Sequence, residues 1–136
     1  MCKTKKVTFL ATLALLVTGI IASGCSPEEP ATGEMEIRLA PIEEVQLSIA
    51  ESFPPQYFLY IRGGLADSCT SFHEVEVDRN GNAINIETTT RRPINAICTQ
   101  VYSTFEENIA LGSDFTSGAT YTVEVNDFKP VTFVAQ

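Results

Sequence analysis

From residue 35 onward, apolar and polar positions alternate with a period of two. Met35, Ile37 and Leu39 alternate with Glu36 and Arg38, and Val45, Leu47 and Ile49 with Glu44, Gln46 and Ser48, the pattern of strands with one face buried. Pro54-Pro55 then interrupts the chain. Tyr57-Phe58-Leu59-Tyr60-Ile61 reads as a more fully buried strand, ended by Gly63-Gly64. Val75 and Val77 pair with Ile84 and Ile86 across Asn80-Gly81, a strong hairpin signal. Further strands are predicted over 98–105, 108–111, 121–125 and 131–134, the last two flanking a turn at Asn126-Asp127. Ile42 to Ser52 also fits helical spacing, but the close succession of Val45, Leu47 and Ile49 favours a strand. About seven to eight short strands with turn signals between them predict an all-β fold, an antiparallel β-sandwich with Greek-key wiring. No internal repeat of solenoid or propeller length is present.

The first 24 residues break this pattern. Lys3, Lys5 and Lys6 precede an almost unbroken apolar run from Val7 to Ile21, followed by Ala22-Ser23-Gly24 and Cys25. A basic segment, an apolar segment and a small-residue stretch form a secretory signal. The apolar run spans only about 22 Å as a helix, short for a membrane crossing. Ala22-Ser23-Gly24-Cys25 resembles the lipobox of bacterial lipoproteins. The resemblance implies cleavage before Cys25, diacylglycerol on its sulfur and acylation of the new N-terminus, hence an extracytoplasmic protein held to the cell membrane or envelope by lipid. The predicted organisation is a signal peptide with its helix over 1–24, a lipidated Cys25 and flexible tether over 25–34, and a β-domain over 35–136. Ser26 to Gly33, with two Pro and two Glu, has nothing to bury and fits an extended, solvated tether.

The final segment, Gly118-Ala119-Thr120-Tyr121-Thr122-Val123-Glu124-Val125-Asn126 with Val131-Thr132-Phe133, resembles the closing hairpin of small extracytoplasmic immunoglobulin-like domains carried on bacterial lipoprotein tethers. The resemblance implies an immunoglobulin-like sandwich and no particular activity.

Charge narrows the function. The chain has 9 Lys+Arg against 17 Asp+Glu. Removal of residues 1–24 leaves six basic residues and a charge of −11. This excludes a nucleic-acid binder, which needs clustered Lys and Arg, and predicts repulsion from anionic headgroups, so that the domain stands off the membrane. Cys2 leaves with the signal and Cys25 carries lipid, so Cys69 and Cys98 remain as an even pair, read as a disulfide in an oxidising compartment.

Candidate chemistry is sparse. His73 is the only His, no Gly-x-Ser-x-Gly elbow accompanies any Ser, and no phosphate-binding glycine loop is present. Strand alternation sets His73 beside Val75 and Val77, and gathers Glu74, Glu76 and Asp78 on the opposite face. A turn centred on Asn80-Gly81 places Glu87 across from Glu74. Glu74, Glu76, Asp78 and Glu87 are thus a negative stripe that deters aggregation, or a weak site for a divalent cation or basic partner. Asp78 to Asn82 lacks calcium-loop spacing and reads as a turn. Arg91-Arg92-Pro93, the only basic doublet of the mature chain, reads as an exposed, extended loop suited to a partner's cleft. Tyr57, Phe58 and Tyr60 read as core. The expected function is a non-enzymatic, lipid-anchored binding module without a cofactor, contacting a protein or envelope component. A small-ligand or divalent-metal carrier and a peptidase-inhibitor-like domain are the alternatives.

Overall fold

The computed structural model describes residues 33–136; the expected signal peptide over 1–24, Cys25 and most of the expected tether lie outside them. Eight strands follow in order: β1 (Met35–Leu39), β2 (Ile42–Ala50), β3 (Gln56–Leu65), β4 (Ser71–Asn80), β5 (Ala83–Pro93), β6 (Ser103–Gly112), β7 (Thr120–Val125) and β8 (Val131–Val134). They form two sheets, one of three strands in the order β2-β3-β6, the other of five built on β5. The all-β sandwich expected from the alternating pattern is the fold.

The sheets bury the expected set of alternate side chains. Tyr57, Leu59 and Ile61 on β3 oppose Ile84 and Ile86 on β5 and Tyr121, Val123 and Val125 on β7. Val45, Leu47 and Ile49 on β2 pack against this core, confirming β2 as a strand. Each fully buried Leu, Ile or Val contributes about 1.5–3 kcal/mol relative to exposure.

Several details differ from the sequence reading. Gly63-Gly64 does not end β3, which runs on to Leu65. A Cβ at Gly63 would overlap the Phe105 ring, and one at Gly64 the Tyr102 hydroxyl; both glycines serve close packing, a role a strand glycine shares with chain breaking. Phe58 and Tyr60 alternate with the buried residues and face outward, half-exposed. Residues 98–102 are irregular, and the segments expected at 98–105 and 108–111 are one strand, β6.

The sandwich is not purely antiparallel. β5 pairs in parallel with β7 over Ala83–Ile86 and Thr122–Val125. The intervening β6 lies in the other sheet. It supplies the crossover that parallel neighbours require, and returns the chain to its original direction.

β5 organises the larger sheet. β4 runs antiparallel to it from Ser71–Arg91 to Asn80–Ala83. β7 pairs with its first half and β1 with its second, Leu39 opposite Thr89 and Met35 opposite Pro93. Asn126, at a positive φ of 44°, bridges the junction of β1 and β7. Its backbone N–H donates to Ile86 O (3.1 Å). Its side-chain Oδ1 accepts from Thr88 N (2.9 Å), and Nδ2 donates to Thr88 O (2.9 Å) and Ala40 O (2.8 Å). One amide side chain thus takes the place of a peptide group in the ladder and satisfies backbone groups that burial would otherwise penalise.

Candidate functional site

The β4–β5 hairpin turns on Gly81-Asn82, since Asn80 pairs directly with Ala83. Gly81 has φ +59°, the backbone that glycine supplies at the first position of a two-residue type II′ loop. The register is therefore two residues from that of a turn on Asn80-Gly81. Glu87 lies opposite Glu76, Glu74 opposite Thr89, and Asp78 opposite Asn85. A bulge between Phe72 and Glu74 carries His73 to the outer face. There its Nδ1 lies 3.1 Å from Thr89 Oγ1. His73 is thus on the carboxylate side of the strand, contrary to simple alternation, because the extra residue of a bulge reverses the facing of what precedes it.

On this outer face a groove of about 660 Å³ opens between β4, β5 and the end of β7, walled by Leu39 and Asn85 and by Glu76, Asp78, Glu87, Glu124 and Asp127. Among the described residues, no Lys or Arg pairs with any of these five carboxylates. Glu74 is outside the lining. Glu124 and Asp127 were not foreseen, although the alternation of Glu124 with Val123 and Val125 already gives its facing; the neighbourhood of β7 and β5 comes only from the parallel pairing.

The weak metal candidates Glu74, Glu76, Asp78 and Glu87 do not converge. Among the described residues, only Asp67, Cys69 and Cys98 bring three donor atoms within 4.8 Å of one another. The two cysteines are joined as a disulfide (Cα–Cα 5.6 Å), so no thiolate is free there to bind a metal.

Arg91-Arg92-Pro93 is not a loop. All three residues belong to β5, with Arg91 paired to Ile37 and Ser71, and Pro93 at the strand's end opposite Met35, a position where the missing N–H is tolerated. Arg91 is exposed. Arg92 is structural: it reaches Asp67 Oδ2 (3.3 Å) and the Cys98 sulfur (3.6 Å). Asp67 Oδ1 accepts from Thr70 Oγ1 (2.8 Å), Thr70 N (2.9 Å) and Cys69 N (3.0 Å). The Thr70 hydroxyl, with these N–H groups and Arg92, holds the Asp67 carboxyl below its ordinary value against the opposing effect of desolvation. The corner is a brace around the disulfide.

Residues 59–135 match the ORF11 β-sandwich domain. The chain belongs to that family. Within the ORF11 β-sandwich domain lie all five groove carboxylates, Asn126 and both cysteines of the disulfide; β1 and β2 precede the matched segment. The chain is 45% identical over 86 residues to an uncharacterised 10.2 kDa protein in the HgiCIIM 5′ region of Herpetosiphon aurantiacus, covering 63% of this chain and 90% of that protein. It is 46% identical over 76 residues to a second such protein of that organism, in the HgiBIM 5′ region, covering 56% and 92% respectively. No solved structure matches the chain.

Proposed function

We propose that this member of the ORF11 β-sandwich family is a non-enzymatic binding module, anchored outside the cytoplasm by lipid on Cys25, whose acidic groove receives a basic segment of a protein partner. The observation that carries the reading is Glu76 directly opposite Glu87 with Asp78, Glu124 and Asp127 in the same groove and no cation among them. Like charges directly across a ladder destabilise a sheet by about 0.2–1 kcal/mol, a cost that a cationic partner would remove. Spread along a groove rather than drawn to one point, the carboxylates suit a chain of Lys or Arg better than a single ion.

The test is in-situ crosslinking of the lipidated protein with mass-spectrometric identification of what it holds, beside the double variant Glu76→Lys with Glu87→Lys. Like-charge juxtaposition across an interface costs several kcal/mol. Recovery of a partner whose contact surface is basic is therefore expected to fall by about tenfold or more. Undiminished recovery would overturn the groove as the contact surface. In the same preparation, Cys25→Ala is expected to move the protein into the soluble fraction, and its retention in the membrane would overturn the anchor.

A further inference from the structure

Six of the ten exposed large apolar side chains among the described residues lie at one end, while Phe53 is fully exposed on the β2–β3 loop at the other. The irregular segment after β5 presents Ile94, Ile97, Val101 and Tyr102, with Ile97 fully exposed (103%). β1 begins beside it, Ile94 N donating to Glu34 O (2.9 Å), and turns Met35 and Ile37 outward, about half-exposed. The segment is not loose. The Cys69–Cys98 bridge ties it to the turn between β3 and β4, Ser68 and Thr99 exchange hydrogen bonds (both 3.0 Å), and the Tyr102 hydroxyl donates to the Glu43 carboxylate. Apolar tips on a braced scaffold mark a contact surface rather than unfinished core.

Three further observations point to lipid as the occupant. Met35 is ten residues from Cys25, so the chain between them cannot span more than about 36 Å. Four of the six basic residues after Cys25 stand at this end: Arg38 pairs Glu36, Arg92 pairs Asp67, and Arg62 is shared by Glu43 and Glu44, while Glu34 and Glu74 have no ion-pair partner among the described residues. Exposed Arg91 adds a positive charge. The unpaired acidic groove is displaced along β5; Glu87 is four residues from Arg91, or about 13 Å. That exceeds a Debye length of about 8 Å at physiological salt. The charge of −11 on residues 25–136 therefore does not describe the field at this end.

We propose that this end of the sandwich docks onto the bilayer surface to which Cys25 is anchored, seating Ile97 and its apolar neighbours in the headgroup region, with Tyr102 at the interface and the acidic groove turned away. The proposal rests on lipidation of Cys25. The protein contains no Trp, so single-Trp variants give an unambiguous signal. The lipidated full chain with Ile97→Trp is bound to phosphatidylethanolamine–phosphatidylglycerol vesicles with brominated acyl chains, beside an Ala83→Trp control on the hairpin at the other end. Interfacial segments seat about 5–10 Å into the headgroup–acyl boundary, so Ile97→Trp emission is expected to fall about twofold or more while Ala83→Trp is unchanged. Protein that sediments with the vesicles yet leaves Ile97→Trp unquenched would overturn docking and leave the anchor standing. Blue-shifted but unquenched emission would mark burial against a second copy or another protein, and also overturn it. Protein that fails to sediment would overturn both readings. Ile97 is fully exposed, so the substitution removes no packing.

Discussion

The two ends of the sandwich are closed by different physics. At the hairpin end, Phe115 packs against Tyr57 (4.5 Å between ring centroids), Tyr121 (4.9 Å) and Phe133 (5.3 Å), and the Arg79 guanidinium lies 4.0 Å over the Phe115 ring. Backbone N–H groups of Thr116 and Gln136 donate to the Tyr121 and Tyr57 hydroxyls. The aromatic cluster around Phe115 is withdrawn from water there and its hydroxyls are satisfied, while Phe53 on the β2–β3 loop stays exposed. At the β1 end the space between the sheets is a polar mouth lined by Glu36, Arg38, Asp67, Thr90 and Arg92, held by one covalent bond and one braced ion pair, while apolar side chains remain outside. The difference separates a stability device from a presenting device. The aromatic end removes area from water, whereas the disulfide end fixes the position of residues that stay in it.

Substitutions at the two ends sharpen this contrast. Phe133→Ala removes a ring with three aromatic neighbours from a site only 9% exposed. It is expected to cost about 3–5 kcal/mol by denaturant unfolding; a loss below about 1 kcal/mol would show that the aromatic end does not carry the core. Cys69→Ser with Cys98→Ser opens a loop of sequence separation 29. It is expected to cost about 3–4 kcal/mol in the chain-entropy picture. Hydrogen exchange is expected to accelerate across 94–102 with little change around Phe115. Equal acceleration at both ends would break the distinction.

The third effect is the smallest and depends on pH. The Asp67 carboxyl titrates below its ordinary value in the folded chain, so the unfolded chain binds its proton more readily. The stability this group contributes is present above the ordinary carboxylate range, near pH 4, and is lost as pH falls through the depressed value. Melting temperatures at pH 7 and pH 3 are expected to differ less in Asp67→Asn than in the parent, with the variant lower at pH 7. An unchanged pH difference would place the acid sensitivity elsewhere.

Much of the architecture was legible because alternation is a one-dimensional record of burial. β2, β7 and β8 could be read from it directly, and so could the facing of Glu76 and Glu87. What failed depended on residues distant in sequence. Gly63 and Gly64 look like strand breakers until the rings of Phe105 and Tyr102 are placed over them. Arg91-Arg92-Pro93 looks like a loop until β1 and β4 flank it and Asp67 takes up Arg92. The register of the acidic pair depended on which residue filled the first turn position, and Gly81, not Asn80, fills it. The groove needed the parallel β5–β7 pairing, which strand patterns do not encode. The apolar loop around Ile97 was half-hidden by an expected strand at 98–105.

Asn126 ties this geometry to the order in which the chain is made. Its amide completes bonds to Thr88, 38 residues earlier, and to Ala40, 86 residues earlier. At a translation rate of about 5–20 residues per second, Thr88 on β5 is synthesised roughly 2–8 s before Asn126. Through that interval the middle of the β5 edge has neither the Asn126 amide nor β7 beside it. An unpaired edge is a template for foreign strands. The nascent domain therefore passes through a defined window in which it needs protection, and a single late asparagine closes it.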